Sequence, residues 1–137
     1  MLFRTVVLCT LSCCMAASAL AATVEVRVTG VRDGKGKVNV AVCDRERFLK
    51  QCSLTGSAPA GDGETVITLK DVPPGAWAVL AYQDANENDK LDRNGLGVPS
   101  ERYGFSREAR GKFGPPAFDK AAIEVQGELT VAPVRLR

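Results

Sequence analysis

Thr23-Val24-Glu25-Val26-Arg27-Val28-Thr29 sets the fold class. Its three valines occupy alternate positions, and a strand turns alternate side chains to one face, so the stretch reads as a strand with one dry face and one wet one. Downstream, Gly30 to Gly36 contains Asp33-Gly34, a dipeptide suited to a tight hairpin turn. The return strand Val38-Asn39-Val40-Ala41-Val42 alternates in the same way. Residues 44–50 (DRERFLK) suit a short helical turn with Phe48 and Leu49 inward. Ser53 to Gly63 is small and polar and reads as loop, and Thr65 to Lys70 reads as a third strand.

Asp71-Val72-Pro73-Pro74-Gly75 is a turn, because proline presets φ and glycine tolerates a positive one. Ala76 to Gln83 (AWAVLAYQ) is apolar on both parities, as a central strand covered on each side would be. Ala122 to Val125, a Gln126-Gly127 turn and a strand over Glu128 to Leu136 end the chain. In that strand Leu129 and Val131 share one parity and Val134 and Leu136 the other, so Pro133 at the switch predicts a bulge or an edge position. Short strands, frequent turns and almost no helical period predict an all-β chain. The expected fold is a single Ig-like β-sandwich of six to seven strands over 22–137, with one long ordered loop over 84–121.

The N-terminus bears on compartment. Arg4, an apolar stretch from Thr5 to about Ala17 and the small-x-small run Ala19-Leu20-Ala21 read as a signal peptide over 1–21, cleaved before Ala22. The apolar stretch is shorter than the ~20 residues that cross a bilayer, and no second one follows. Thr10-Leu11-Ser12 before Cys13 and Cys14 makes a poor lipidation signal. The expected location is periplasmic or secreted. Arg4 leaves with the leader, so the chain's 18 bases fall by one against 16 acids. Nucleic-acid capture needs a strongly basic face, and the loose cluster Arg107, Arg110 and Lys112 does not make one. Cys43 and Cys52 survive cleavage; an even pair in an oxidising compartment predicts a disulfide, and their spacing is that of a structural staple rather than a redox C-x-x-C pair.

The segment from Asp84 to Ala121 has no sustained period, yet carries Tyr103, Phe105, Phe113 and Phe118 among glycines and prolines. Loops of that length are usually functional or disordered, and the rings argue for order. It opens on Asp84-Ala85-Asn86-Glu87-Asn88-Asp89-Lys90-Leu91-Asp92, with oxygen-bearing side chains at the first, third, fifth and ninth positions of a calcium-loop template. Alternate residues of a tight loop aim their oxygens at one centre, so the ligand set would be Asp84, Asn86, Asn88, the Lys90 carbonyl and Asp92. Position six is Asp89 rather than glycine and position twelve is Gly95 rather than an acid, so Glu101 or Asp119 would have to close the shell. The alternative is an Asx-rich turn whose side chains satisfy their own backbone.

The run PPGAWAVLAYQDANENDKLDRNGLGVPSERYGFSREARGKFGPPAF, residues 73–118, resembles the domain-of-unknown-function 2141 family of exported bacterial proteins. Trp77 stands where that pattern has another aromatic, Asp89 where it has glycine, and Arg107 where it has asparagine after Gly104-Phe105-Ser106. The PPGAW corner is similar to those of transthyretin-like and carboxypeptidase-regulatory-like sandwiches. The resemblance implies fold and export but no reaction.

Three functional classes compete. The chain has no histidine, so Ser-His and Cys-His pairs and the usual zinc sites are excluded. A small hydrolase would have to use carboxylates such as Asp92 with Glu101, or a serine-lysine arrangement at Ser100 or Ser106, and no motif supports either. A non-catalytic binding or envelope accessory domain would use the long loop, with Tyr103, Phe105, Phe113 and Phe118 meeting a glycan or an envelope protein, unless those rings serve only as anchors. A passive structural protein would bind nothing. The expectation is the binding or accessory domain, with calcium as a structural ion.

Overall fold

The computed structural model describes residues 21–137. Apart from Ala21, the leader expected over 1–21 lies outside them, and the first strand opens at Ala22. β1 (Ala22–Thr29) pairs antiparallel with β4 (Thr65–Val72) and parallel with β8 (Leu129–Arg135), giving a three-stranded sheet. The second sheet runs β3 (Leu54–Pro59), β2 (Lys37–Cys43), β5 (Gly75–Asp84) and β6 (Tyr103–Phe105). β7 (Ala122–Val125) pairs with the first half of β5, and a single turn of helix, α1 (Phe118–Ala121), leads into it. Among the described residues the sandwich therefore holds eight strands rather than six or seven.

The alternating valines behave as their period demands. Val24, Val26 and Val28 of β1 and Val38, Val40 and Val42 of β2 are buried with Ile67, Leu69, Val79, Ala81, Val134 and Leu136 between the two sheets. β5 is central: Val79, Ala81 and Gln83 are buried on its inner face, while on its outer face Ala78 is buried and Leu80 and Tyr82 are half-buried. Its outward side adds Ala78 to a second, aromatic core of Phe48, Phe105 and Phe118, whose rings meet edge to face. Two packed sheets explain why the core is continuous without a long helix. The Cys43–Cys52 disulfide forms and staples the loop between β2 and β3.

Several local expectations are corrected. Asp33 and Gly34 both take the left-handed backbone of a turn, but β1 and β2 lie in different sheets, so the turn is a crossover and not a hairpin. Leu54–Pro59, expected as loop, is an edge strand held by its pairing with β2. In the 44–50 turn Phe48 points inward, whereas Leu49, at φ 61°, is thrown outward and 46% exposed. β8 is an edge strand, but its register with β1 runs unbroken through Pro133. Leu129 and Val131 simply face outward, and the irregularity sits in β1 between Ala22 and Val24. The stretch 84–121 is ordered, and it contains β6 and α1 rather than loop alone.

Candidate functional site

Two features converge beside the outer face of the five-stranded sheet. The first is the loop that follows β5. Asp84, the last residue of that strand, is fully buried. Its Oδ1 accepts the Asn88 N–H at 3.1 Å, and its Oδ2 accepts the Asp89 N–H at 2.8 Å and the Asn39 side-chain amide at 3.1 Å. The Asn86 side-chain oxygen accepts the Asn88 N–H at 3.3 Å, and that of Asn88 accepts the Lys90 N–H at 3.0 Å. Both asparagines also donate their amides to Asp92, each at 2.7 Å. These donors, Asn88 before Asn86, hold the Asp92 carboxyl below the ordinary carboxylate value.

Glu101 closes the arrangement. Its two carboxylate oxygens accept the N–H groups of Ala85 at 2.8 Å and Asp92 at 2.9 Å, joining the two ends of the loop. Of the expected ligand set, Asn86 and Asn88 reach the Asp92 carboxylate through their amide N–H groups while their oxygens accept backbone N–H groups, and Glu101 binds the Asp92 main chain, which is the bonding of an Asx-rich turn. Asp84 anchors the loop from below, facing β2, and Lys90 contributes its N–H to Asn88. Asp119 lies elsewhere, paired with Arg45. Among the described residues no three acidic, cysteine or histidine side chains are gathered closely enough to hold a metal ion by themselves; the donors here are mixed carboxylate and amide. Lys37 pairs with Asp89, and that bond raises the lysine's pKa. Glu87 and Asp89 hold positive φ angles of 55° and 62°, the backbone curl that such Asx-type bonds support.

The second feature is a groove of about 1280 Å³ across the sheet's outer face. Strand register lays two rows of side chains along its floor. Ser57, Asn39, Tyr82 and Tyr103 form one, and Thr55, Ala41, Leu80 and Phe105 form the other. Asn39 donates its amide to the Tyr82 hydroxyl at 2.9 Å, while burial pushes that phenol's pKa upward. The 89–99 segment walls one side, tied down by the Asn94 side chain accepting the N–H groups of Leu96 and Val98. Residues 111–115 wall another side. Leu96, Val98 and Phe113 stand in these walls with 89%, 54% and 104% of their surface exposed.

The four rings expected as a ligand surface divide accordingly. Phe105 and Phe118 are both buried in the aromatic core, Phe118 beneath the Arg45 guanidinium, and Phe105 also lines the groove floor. Tyr103 is half-buried on the groove floor, and Phe113 is free in the wall. Ser106, considered as a nucleophile, is fully buried: its hydroxyl accepts the Val79 N–H and donates to the Ala121 carbonyl, which is structural work. Asn39, Leu80 and Tyr82 were not anticipated. Their signal was a polar residue interrupting a valine run, and a second apolar parity in β5 that needed an occupant.

Over residues 26–132 the chain matches the family described as uncharacterized proteins conserved in bacteria, domain of unknown function 2141, and it belongs to that family. No curated protein and no solved structure matches it. Among the described residues no helix is long and apolar enough to cross a membrane.

Proposed function

We propose that this member of the bacterial 2141 family is a non-catalytic binding domain of the cell envelope that takes an extended ligand, an oligosaccharide, on the outer face of its five-stranded sheet. The observation that carries the reading is the groove. Its floor alternates amide and hydroxyl groups with aromatic and aliphatic surface, and its walls present Leu96, Val98 and Phe113 to solvent. Sugars combine hydroxyl edges with apolar C–H faces, and tyrosines and side-chain amides meet both. A groove of about 1280 Å³ has room for several rings. Export, read from the leader and consistent with the disulfide, puts such a groove where envelope glycans are.

Calcium enters the proposal as the ion that would brace the groove wall. What supports it is the spacing of Asp84, Asn86, Asn88 and Asp92; an ion would have to displace the amide N–H groups that Asn86 and Asn88 now turn to the Asp92 carboxylate and recruit their oxygens instead. A glycan array probed with the wild-type protein and with Tyr103→Ala and Phe113→Ala tests the groove. The expected result is a set of bound glycans lost in both variants while the thermal midpoint of Phe113→Ala stays unchanged; an array blank for the wild-type protein refutes it. Denaturation with excess calcium against chelator tests the ion separately, and identical midpoints remove calcium from the proposal.

A further inference from the structure

We infer that the groove selects an acidic oligosaccharide, one with carboxylates on successive sugars. The inference rests on the groove reading above and narrows its class of ligand. Charge carries it. Over the whole chain 18 bases stand against 16 acids, close to balance. The groove departs from that balance, since Lys50, Arg93 and Lys112 line it against Asp89 as the lining acid. Asp89 is already paired with Lys37. All three cations are exposed, and among the described residues none of them has an ion-pair partner.

Each cation enters from a different wall. Lys50 lies in the loop after β2, inside the span that the Cys43–Cys52 disulfide closes, and its N–H bonds the Arg47 carbonyl at 2.8 Å. Arg93 lies in the loop that leaves β5 at Asp84, and Asp84 pairs with Lys37 at the opposite end of β2. Its guanidinium donates to the Gly97 carbonyl at 3.0 Å, which fixes one nitrogen and leaves the other N–H groups for a carboxylate. Lys112 stands in the 111–115 wall beside the exposed Phe113 ring. That wall is a tight turn, where a Cβ on Gly111 would fall 2.1 Å from the Gly114 carbonyl oxygen. The three charges are thus held apart around one floor, on segments whose backbones are tied down.

A single small anion could meet only one of them. A chain of acidic sugars meets them in turn while its C–H faces lie on Tyr82, Tyr103 and Phe113. A neutral chain seated on the same floor would strip water from the cations and give them no counter-charge, so the groove discriminates against it. Single-stranded nucleic acid is the other anionic chain with stacking faces. It takes a continuous basic groove along its backbone, and three separated cations do not make one.

Titration calorimetry of the disulfide-intact protein tests this, with hexamers of galacturonate, mannuronate and guluronate set against the same hexamers after their carboxyls are reduced to alcohols. At least one uronide is expected to bind about tenfold or more tighter than its reduced counterpart at low salt, the difference fading at about 0.5 M salt. Lys50→Gln and Lys112→Gln should each weaken that uronide about threefold, and together about tenfold, with the wild-type thermal midpoint because neither side chain has an internal partner. Reduced hexamers bound as tightly as the uronides overturn the inference and leave the groove reading standing. Neither set bound, while the glycan array finds neutral ligands, also overturns the inference alone; neither set bound and a blank array overturn both. Uronide binding indifferent to both substitutions, or an oligothymidylate bound as tightly as the best uronide, overturns it equally.

Discussion

Replacing Asp84 with asparagine changes no volume and removes one charge, so it isolates what the buried carboxylate does. Asp84 has no exposed surface, and its two oxygens accept the N–H groups of Asn88 and Asp89 and the Asn39 amide at 2.8–3.1 Å. An amide in the same place must turn an NH₂ toward at least one of those donors. Hydrogen bonds to a charged acceptor contribute about 1.5–3 kcal/mol each. The Asn88 and Asp89 amides reach water when the loop opens, which returns part of the loss. The expected cost is about 2 kcal/mol, or about 8 °C in thermal midpoint for a domain of this size. Circular-dichroism melts at neutral pH measure it, and amide hydrogen exchange over residues 85–101 localises it. Asp33→Asn in the exposed 30–36 turn serves as the control, within about 0.5 kcal/mol of wild type. An Asp84→Asn protein equally close to wild type, with unchanged exchange in the loop, would refute the view that this carboxylate organises the segment.

Gly104 sits where an added Cβ would lie 2.2 Å from the Arg135 carbonyl oxygen, so Gly104→Ala should push β6 from β8 and cost about 2–3 kcal/mol in urea denaturation. Removing the Cys43–Cys52 bridge by paired serine substitution should cost about 2.5–3 kcal/mol on the chain-entropy account, again read by urea denaturation. The lowered Asp92 pKa means that its contribution to loop order is complete above the ordinary carboxylate value and is lost as pH falls through the lowered one. The side-chain amide resonances of Asn86 and Asn88 should therefore hold steady at neutral pH and shift together below about pH 4, a transition absent from Asp92→Asn.

Much of the sandwich is legible because burial imposes a period of two. The valine runs of β1 and β2 and the doubly apolar β5 declare their faces without reference to any partner. β3 does not, because Leu-Thr-Gly-Ser-Ala-Pro has little strand preference and is a strand only through its pairing with β2. The parity change at Pro133 misleads for a different reason: Leu129 and Val131 are apolar yet exposed, and nothing local separates such residues from core. Sheet membership is equally hidden, since Asp33-Gly34 makes its turn whether the chain returns to the same sheet or crosses to the other. At the site, the spacing of Asp84, Asn86, Asn88 and Asp92 announces a curled loop, but it left Glu101 and Asp119 equal as the closing acid, and only the fold brings Glu101 to the Ala85 and Asp92 N–H groups. The groove was harder to read, since its rows are assembled from four strands whose register no single stretch encodes.

The parallel alignment of β1 with β8 joins the beginning of the domain to its end. Val24, Val26 and Val28 lack their neighbour on that side until Leu129–Arg135 has arrived, so a chain emerging N-terminus first cannot complete this layer early. Contacts so distant along the chain also slow folding. The three-stranded layer is therefore closed by the last strand to be made, and a chain stopped before Leu129 would leave β1 unpaired on one side.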